Sequence, residues 1–533
     1  MEKQPWQEVV RRKRDIREQL LREYEQNATR TSSAGDITQI SSLSDLSAKL
    51  ASGEVSSEAV TRAYIKRAIA AHRETNCITE VLFNNAIHRA KELDEYFAKS
   101  GKPVGPLHGI PISLKDQFDV AGFDSTLGYV ARSFQPATRD CALVEMLKSL
   151  GAVVIAKTNL PQSIMWCETE NPLWGLTTNP MHPAFTPGGS TGGEAALLAM
   201  GGSVLGWGTD LGGSVRMPCH MMGLYGLKPS NARLPYRGVP VSTEGQEHVP
   251  SSVGPMARSL DTIHTVFKAL IELKPWEIDA RCAPVPWRED VYQDALSRPL
   301  VIGVLADDGV VRPHPPIARV LKSAVELLEN AGHEIVVWDA SLHAECVELM
   351  DEYYTVDGGE DIRVAVQAGG EPFLDHVQKL IDRGTPISVV EYWHLNKRKW
   401  ALHQRYLQKW NSIRSARGNR PVDVVLMPPM PHTSVPHQTC RWVGYTKVWN
   451  LLDYPAIVLP GGQVISDDLS AEWDLESRNE MDAWNKGLWN ENKDLMASLG
   501  LPVGVQLVGK RYNEEIVLAA GKVLDDLLKT KAA

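Results

Sequence analysis

Residues 186–230 run TPGGSTGGEAALLAMGGSVLGWGTDLGGSVRMPCHMMGLYGLKPS, with two serines, Ser190 and Ser214, each set among glycines on either side of a short apolar helix-like stretch and a GTD turn. An ordinary packed core has no use for such a segment. Glycines beside a serine permit backbone conformations that a Cβ forbids and let a second molecule approach the main chain closely. Consecutive N–H groups in a turn of this kind can converge on one anion, which is what a tetrahedral oxyanion requires. One glycine-rich loop is commonly just a tight turn between elements. Two, each presenting a serine, point to chemistry.

A second segment, GIPISLKD at 109–116, ends an apolar run on Lys115 and reads as a buried strand end rather than a solvated face. Desolvation lowers a lysine's pKa and leaves a share of neutral amine that accepts a proton near neutral pH. Taken alone, the segment also fits a surface lysine paired with Asp116.

With GTDLGGSVR around Ser214, GGSTGG around Ser190 and GIPISLKD around Lys115, the chain resembles the amidase signature family, in the family's order and at closely similar spacing. The resemblance continues through KTNLPQS at 157–163, NPLWG at 171–175, GLKPS at 226–230, NLLDYPAIVLP at 450–460 and GLPVGVQLVG at 500–509. It covers roughly residues 40–530 and is most similar to fungal acetamidase-like enzymes in ELDEYFAKSGKPVGPLHG at 92–109, KPWEIDA at 274–280 and RPHPP at 312–316.

The resemblance implies hydrolysis of a carboxylic amide C–N bond to an acid plus ammonia or an amine, on small aliphatic or aryl substrates. Ser214 is then the nucleophile, Ser190 the proton relay and Lys115 the neutral base. The backbone N–H groups of Leu211, Gly212, Gly213 and Ser214 form the oxyanion hole, and the Gly189–Ser190 peptide is cis. Ile164 and Met165 match positions lining the acyl pocket, although core packing explains them equally well. Asp210 and Arg216 bracket the loop and suit an ion pair that fixes it. At Thr191 the family usually carries a second serine; the threonine keeps a hydroxyl for a supporting role.

Two rival readings compete. GGSTG at 188–192 satisfies the G-x-S-x-G elbow of α/β-hydrolase esterases, which would make Ser190 the nucleophile with His432 or His437 as base. PAFTP before it is a poor strand, and the reading leaves Lys115 and GTDLGGS unexplained. A non-enzymatic protein with glycine-loop phosphate cradles is the other, but the chain lacks G-x-x-x-x-G-K-[ST].

Charge and cysteine usage narrow the partners. With 56 basic against 65 acidic residues the net charge is −9, which argues against a nucleic-acid surface. The seven cysteines, at 77, 141, 167, 219, 282, 346 and 440, lack CxxC spacing and fit neither a disulfide framework nor a zinc site. They suit a reducing, cytoplasmic setting, and neither metal nor cofactor is expected. The segment MEKQPWQEVVRRKRDIREQLL has no apolar h-region, and no apolar run approaches the roughly 20 residues of a membrane span. The expected partner is a small-molecule amide, with no nucleic acid, no membrane, and a homodimer left open.

Residues 5–26 read as a helix with Val9, Val10, Ile16, Leu20 and Tyr24 near one face and VVRRKR as a solvated patch. A polar linker follows at 27–36, so residues 1–40 are expected to form an arm and linker and 41–533 a single amidase domain. Ser57 is the expected cap of the next helix. Short apolar runs at 152–157, 300–305, 334–339, 424–429, 456–460 and 503–509 alternate with helical patterns, among them 317–331 and 514–530. That alternation predicts an α/β fold. The family resemblance makes it the amidase-signature fold, a central mixed β-sheet covered on both sides by helices. The acidic, tryptophan-bearing stretch 466–494 reads as a surface excursion, either solvating or covering the substrate entrance.

Overall fold

The computed structural model describes residues 5–27, 36–471, 473 and 475–532. Its first half contributes strands β1 (Ile78–Val81), β2 (Pro111–Lys115), β3 (Val153–Thr158), β4 (Glu170–Asn171), β5 (Gly175–Leu176), β6 (Leu205–Asp210), β7 (Tyr225–Lys228) and β8 (Ser252–Ala257). The second half adds β9 (Val301–Val304), β10 (Glu334–Val337), β11 (Val424–Met427), β12 (Ala456–Gln463) and β13 (Pro502–Val508). All but the small β4–β5 hairpin join one 11-stranded sheet in the order β1-β3-β2-β6-β8-β7-β12-β13-β11-β9-β10. The sheet is mixed: β2 runs parallel to β3 and β6, and β9 parallel to β10 and β11, while β6–β8, β8–β7, β7–β12 and β12–β13 are antiparallel.

Both faces of this sheet are covered, which is why its strands read as unbroken apolar runs rather than as alternation. Along β11, Val424 and Leu426 pack into one cluster and Val425 and Met427 into another on the opposite face. The first face is closed by the helices Pro315–Asn330, through Ile317, Val320, Leu321 and Ala324, and Glu514–Ala532, through Val517, Leu518 and Leu524. The second is closed by His343–Tyr353, Val389–Ser412 and Gly444–Leu451, which bring Leu349, Tyr406, Trp410 and Trp449. The expected α/β sandwich is what the chain forms.

Several local expectations differ. The GTD read as a turn is the end of β6, and β6 and β8 were hidden because Gly206, Gly208, Gly254 and Pro255 erase the β-propensity signal. The cap of helix Ser57–Thr75 is Ser56, whose hydroxyl accepts from the Ala59 N–H at 3.1 Å, one residue earlier than expected. Helix Glu480–Leu499 takes up the second half of the supposed surface excursion and buries Leu488, Trp489 and, just beyond it, Met496; Glu472 and Asp474 lie outside the described residues. All seven cysteines are free thiols and buried. Among the described residues no helix is long and apolar enough to cross a membrane.

The first helix, Trp6–Asn27, turns Val10 inward and packs Val9, Leu20 and Tyr24 partly against the body, whereas Ile16 is 45% exposed and Leu21 is fully buried. The helix docks through its cations. Lys13 donates to Glu80 and, at 2.8 Å, to Asp124 Oδ2; Arg14 caps the carbonyls of Leu173 and Pro172; Arg17 donates to Ile78 O at 2.7 Å. Only Arg11 and Arg12 of the VVRRKR patch are solvated. The expected linker falls, over residues 28–35, outside the described residues.

Removing Lys13 leaves two buried carboxylates without their cation, and breaking a buried pair in this way costs about 3–5 kcal/mol. Lys13→Ala is therefore expected to lower the thermal unfolding midpoint clearly, whereas Arg11→Ala, on the exposed face, stays within about 0.5 kcal/mol of the parent. Equal midpoints for the two variants would show that the helix does not depend on this contact.

Candidate active site

β2 and β6 lie side by side and parallel, with Leu114 opposite Trp207, so Lys115 at the end of β2 stands beside Thr209 and Asp210 at the end of β6. Carboxyl ends of parallel strands are where open α/β sheets place their ligand crevices. Lys115 is fully buried. Its Nζ donates to Ser190 Oγ at 2.6 Å and to Thr209 Oγ1 at 3.2 Å, and the Thr209 hydroxyl in turn donates a hydrogen bond to Gln117 Oε1 at 2.7 Å. Burial pulls the Lys115 amine down to about 7, against the upward pull of Asp210 and Asp116. The surface ion pair with Asp116 does not form, because that carboxylate accepts from the N–H groups of Thr126 and Leu127 at 2.8 Å each.

Ser190 precedes helix Gly192–Ala199, and the Gly189–Ser190 peptide is cis. Position 189 admits no side chain: a Cβ there would lie 2.6 Å from the Glu168 nitrogen and 2.7 Å from the carbonyl carbon of Cys167. Glu168, which the sequence reading missed, binds this loop to the 438–440 segment by accepting from Gln438 N at 2.7 Å and Cys440 N at 2.9 Å. Burial pushes its carboxyl up to about 7.

Ser214 lies in the turn between β6 and helix Arg216–Met222, half-buried, with no hydrogen bond from its hydroxyl to any described residue. The turn is built around Asp210. Its carboxylate takes Arg216 Nε at 3.0 Å and Nη2 at 2.9 Å, Gly213 N at 2.8 Å and Asn450 Nδ2 at 2.9 Å. Burial alone would raise this carboxyl, and the Arg216 guanidinium overrides it, holding Asp210 well below the usual carboxylate range. From the other side Thr446 donates to Gly212 O at 2.6 Å. Gly213 takes φ +131, and a Cβ there would fall 2.3 Å from Thr446 Oγ1.

This network revises the expected oxyanion hole. The Gly213 N–H is committed to Asp210, so the donors left without a partner among the described residues are those of Leu211, Gly212 and Ser214. The supporting role expected of Thr191 also finds no partner, since its buried Oγ1 makes no hydrogen bond and its methyl abuts Gly208 of β6. The elbow reading finds no base: Ser190 bonds Lys115, while the rings of His432 and His437 are engaged with the carbonyls of Thr433 and Pro183.

Ser190, Ser214, Thr209 and Gln117 face one cavity of about 1110 Å³. Ile164 and Met165 line it, and Ile164 does so from the left-handed region at φ +61, uncommon for a β-branched residue and a conformation concentrated at functional sites. Arg441 stacks on Trp484 at 3.6 Å and also lines the cavity, as does Met481, so helix Glu480–Leu499 forms part of its wall. Of the residues that sequence reasoning passed over, Thr209, Gln117, Glu168 and Thr446 carry no local signal. Asn450 does: it is a buried polar residue on an apolar helix face.

A family model, Amidase, matches residues 59–518. The chain is 52% identical over 528 residues to Amidase 1 of Gibberella moniliformis, covering 98% of this chain and 99% of that protein. It is 38% identical over 492 residues to an acetamidase of Emericella nidulans, covering 91% and 89% of the two chains. Among solved structures it superposes on a fatty acid amide hydrolase with a TM-score of 0.83 at 32% identity, covering 99% of this chain and 91% of that one. The chain thus belongs to the amidase family, the amidase-signature enzymes, and is a hydrolase of amide bonds.

Proposed function

We propose that the chain hydrolyses carboxylic amides through an acyl-enzyme on Ser214, with Ser190 relaying protons between Ser214 and Lys115. One observation carries the reading: a fully buried amine, pulled to about 7, bonds Ser190 Oγ at 2.6 Å at the base of a cavity that Ser214 also faces. An amide demands an activated nucleophile, stabilisation of the oxyanion and a proton for the departing nitrogen. Ser190 takes the Ser214 proton and gives its own to neutral Lys115 as Ser214 Oγ adds to the carbonyl. The N–H groups of Leu211, Gly212 and Ser214 then face the oxygen as it gains charge. Collapse of the adduct breaks the C–N bond, and the proton returns through Ser190 to the leaving amine. A water molecule attacks the ester by the same relay, releasing the acid and restoring Ser214.

Relatives named for acetamide and for fatty acid amides bracket the substrate range. A cavity of about 1110 Å³ slightly exceeds the pockets that enclose drug-sized ligands, roughly 300–1,000 Å³. Its volume supports aryl and longer-acyl amides over acetamide, with Ile164, Met165, Trp166 and Met217 as the apolar wall. Turnover of a panel from acetamide through anilides to long-chain primary amides measures this directly, and a maximum at acetamide would refute it.

Because the amine must be neutral to act, kcat/KM is expected to rise with pH through an ionisation near 7 and level off above it. Lys115→Arg is expected to be inactive, since a guanidinium keeps its proton throughout this range. A profile flat across that interval would remove Lys115 from the mechanism.

Ser214→Ala is expected to abolish turnover and labelling by a fluorophosphonate probe with the fold retained. Ser190→Ala is expected to be severe but less complete, because water can substitute in part for the relay. Label on Ser190 in place of Ser214, located by peptide mapping, would reverse the two roles. For a given acyl group, a shared acyl-enzyme also partitions between water and hydroxylamine in a ratio set by nucleophile concentration and independent of the leaving amine. Hydroxamate yields that change with the leaving amine would point to direct attack of water.

A further inference from the structure

Tyr354 directly follows helix His343–Tyr353, far from the glycine loops in sequence, yet its hydroxyl rests on the oxyanion turn. A Cβ on Gly212 would lie 2.4 Å from Tyr354 Oη, with the next nearest atoms at 3.6 and 3.8 Å. Only a glycine at 212 admits this approach. Tyr354, Gly212 and Ser214 line the same cavity, and the tyrosine hydroxyl has no hydrogen-bond partner among the described residues. The hydroxyl is open to the cavity, so its proton is free for a ligand. Phenylalanine would fill the same space without offering a donor. A hydroxyl there makes sense if a ligand completes it.

The turn also lacks a donor, because the Gly213 N–H belongs to Asp210. Tyr354 presents an O–H against the side-chain position of Gly212, and both residues are registered by one helix, Gly444–Leu451. Thr446 of that helix holds Gly212 O at 2.6 Å, Asn450 holds Asp210 O at 3.1 Å, and Lys447 pairs with Asp351 Oδ1 at 2.5 Å, one turn before Tyr354. Burial, reinforced by Asp351 and Asp210, keeps the phenol protonated far above its ordinary range, so it is a donor at every working pH. Pre-positioned donors of this kind act on charge that develops only in the transition state.

We propose that the Tyr354 hydroxyl is a catalytic residue that donates to the oxyanion of the tetrahedral adduct on Ser214, completing the hole from which Gly213 is withdrawn. The inference rests on the assignment of Ser214 as nucleophile. Tyr354→Phe is expected to lower kcat by about 100-fold, the scale of losing one oxyanion donor, with KM changed by no more than about threefold. A substrate-derived trifluoromethyl ketone, which forms a tetrahedral adduct with the serine, is expected to lose affinity in the same proportion. A kcat within about threefold of the parent, or equal losses in affinity for substrate and ketone, would overturn the inference. Should the phenylalanine variant fail to fold, 3,5-difluorotyrosine at position 354 supplies a stronger donor on an unchanged frame. It must hold or tighten ketone binding, and weakened binding overturns the proposal. Fluorophosphonate label on Ser214 of the parent together with a fully active Tyr354→Phe removes only this inference. Absence of that label removes the Ser214 assignment and this inference together.

Discussion

Lys115 ends a strand that is buried on both faces, and the water it loses there makes a neutral amine available near physiological pH. Much of the surrounding structure serves to leave that amine without a direct counter-ion. Asp116 is turned away to the Thr126–Leu127 backbone, and Asp210, next along β6 from Thr209, is neutralised by Arg216. A carboxylate placed against Nζ would restore the ammonium and remove the base that the proposed mechanism needs. The hydroxyls of Ser190 and Thr209 satisfy the amine's hydrogen bonds without fixing its charge.

The Asp210–Arg216 pair plays the complementary part. A fully buried ion pair is weak evidence for stability, since desolvation can cancel its attraction. Its effect here is geometric. One carboxylate collects a guanidinium, three backbone N–H groups and the Asn450 amide, which fixes the conformation of the turn that presents Ser214. Arg216 reaches on to Gln506 Oε1 at 3.3 Å on β13 and to Asn450 Oδ1 at 2.6 Å. The turn from the middle of the chain is thereby held by elements from its last hundred residues, and the site exists only when the sheet is complete.

Cations also organise the periphery. Lys13, Arg14 and Arg17 tie the first helix to the body through the carboxylates of Glu80 and Asp124, the carbonyls of the β4–β5 turn and that of Ile78 on the edge strand β1. At the cavity wall, Arg441 lies flat on Trp484, joining helix Glu480–Leu499 to the cavity. Such contacts combine a charged head with an apolar stem or ring, so hydrophobic periodicity does not reveal them.

The sequence by itself determined the main elements and the family, and it named the candidates for the chemistry. Unbroken apolar runs announced strands buried on both faces, and the glycine-bracketed serines with a lysine after an apolar run marked Ser190, Ser214 and Lys115, because those signals are local. What it misjudged was equally physical. Glycine-rich β6 looked like a turn, since its backbone pairs without the side chains that signal a strand, and Ile16 was placed inward because helical periodicity cannot weigh buried cations against it. The tertiary structure alone decided the partners: Thr209 and Gln117 behind Lys115, Asn450 and Thr446 behind the turn, and the use of the Gly213 N–H by Asp210 rather than by a ligand. Those depend on which strands become neighbours and in what register, and a hydrogen bond spanning more than 200 residues leaves no trace in the residues at either end.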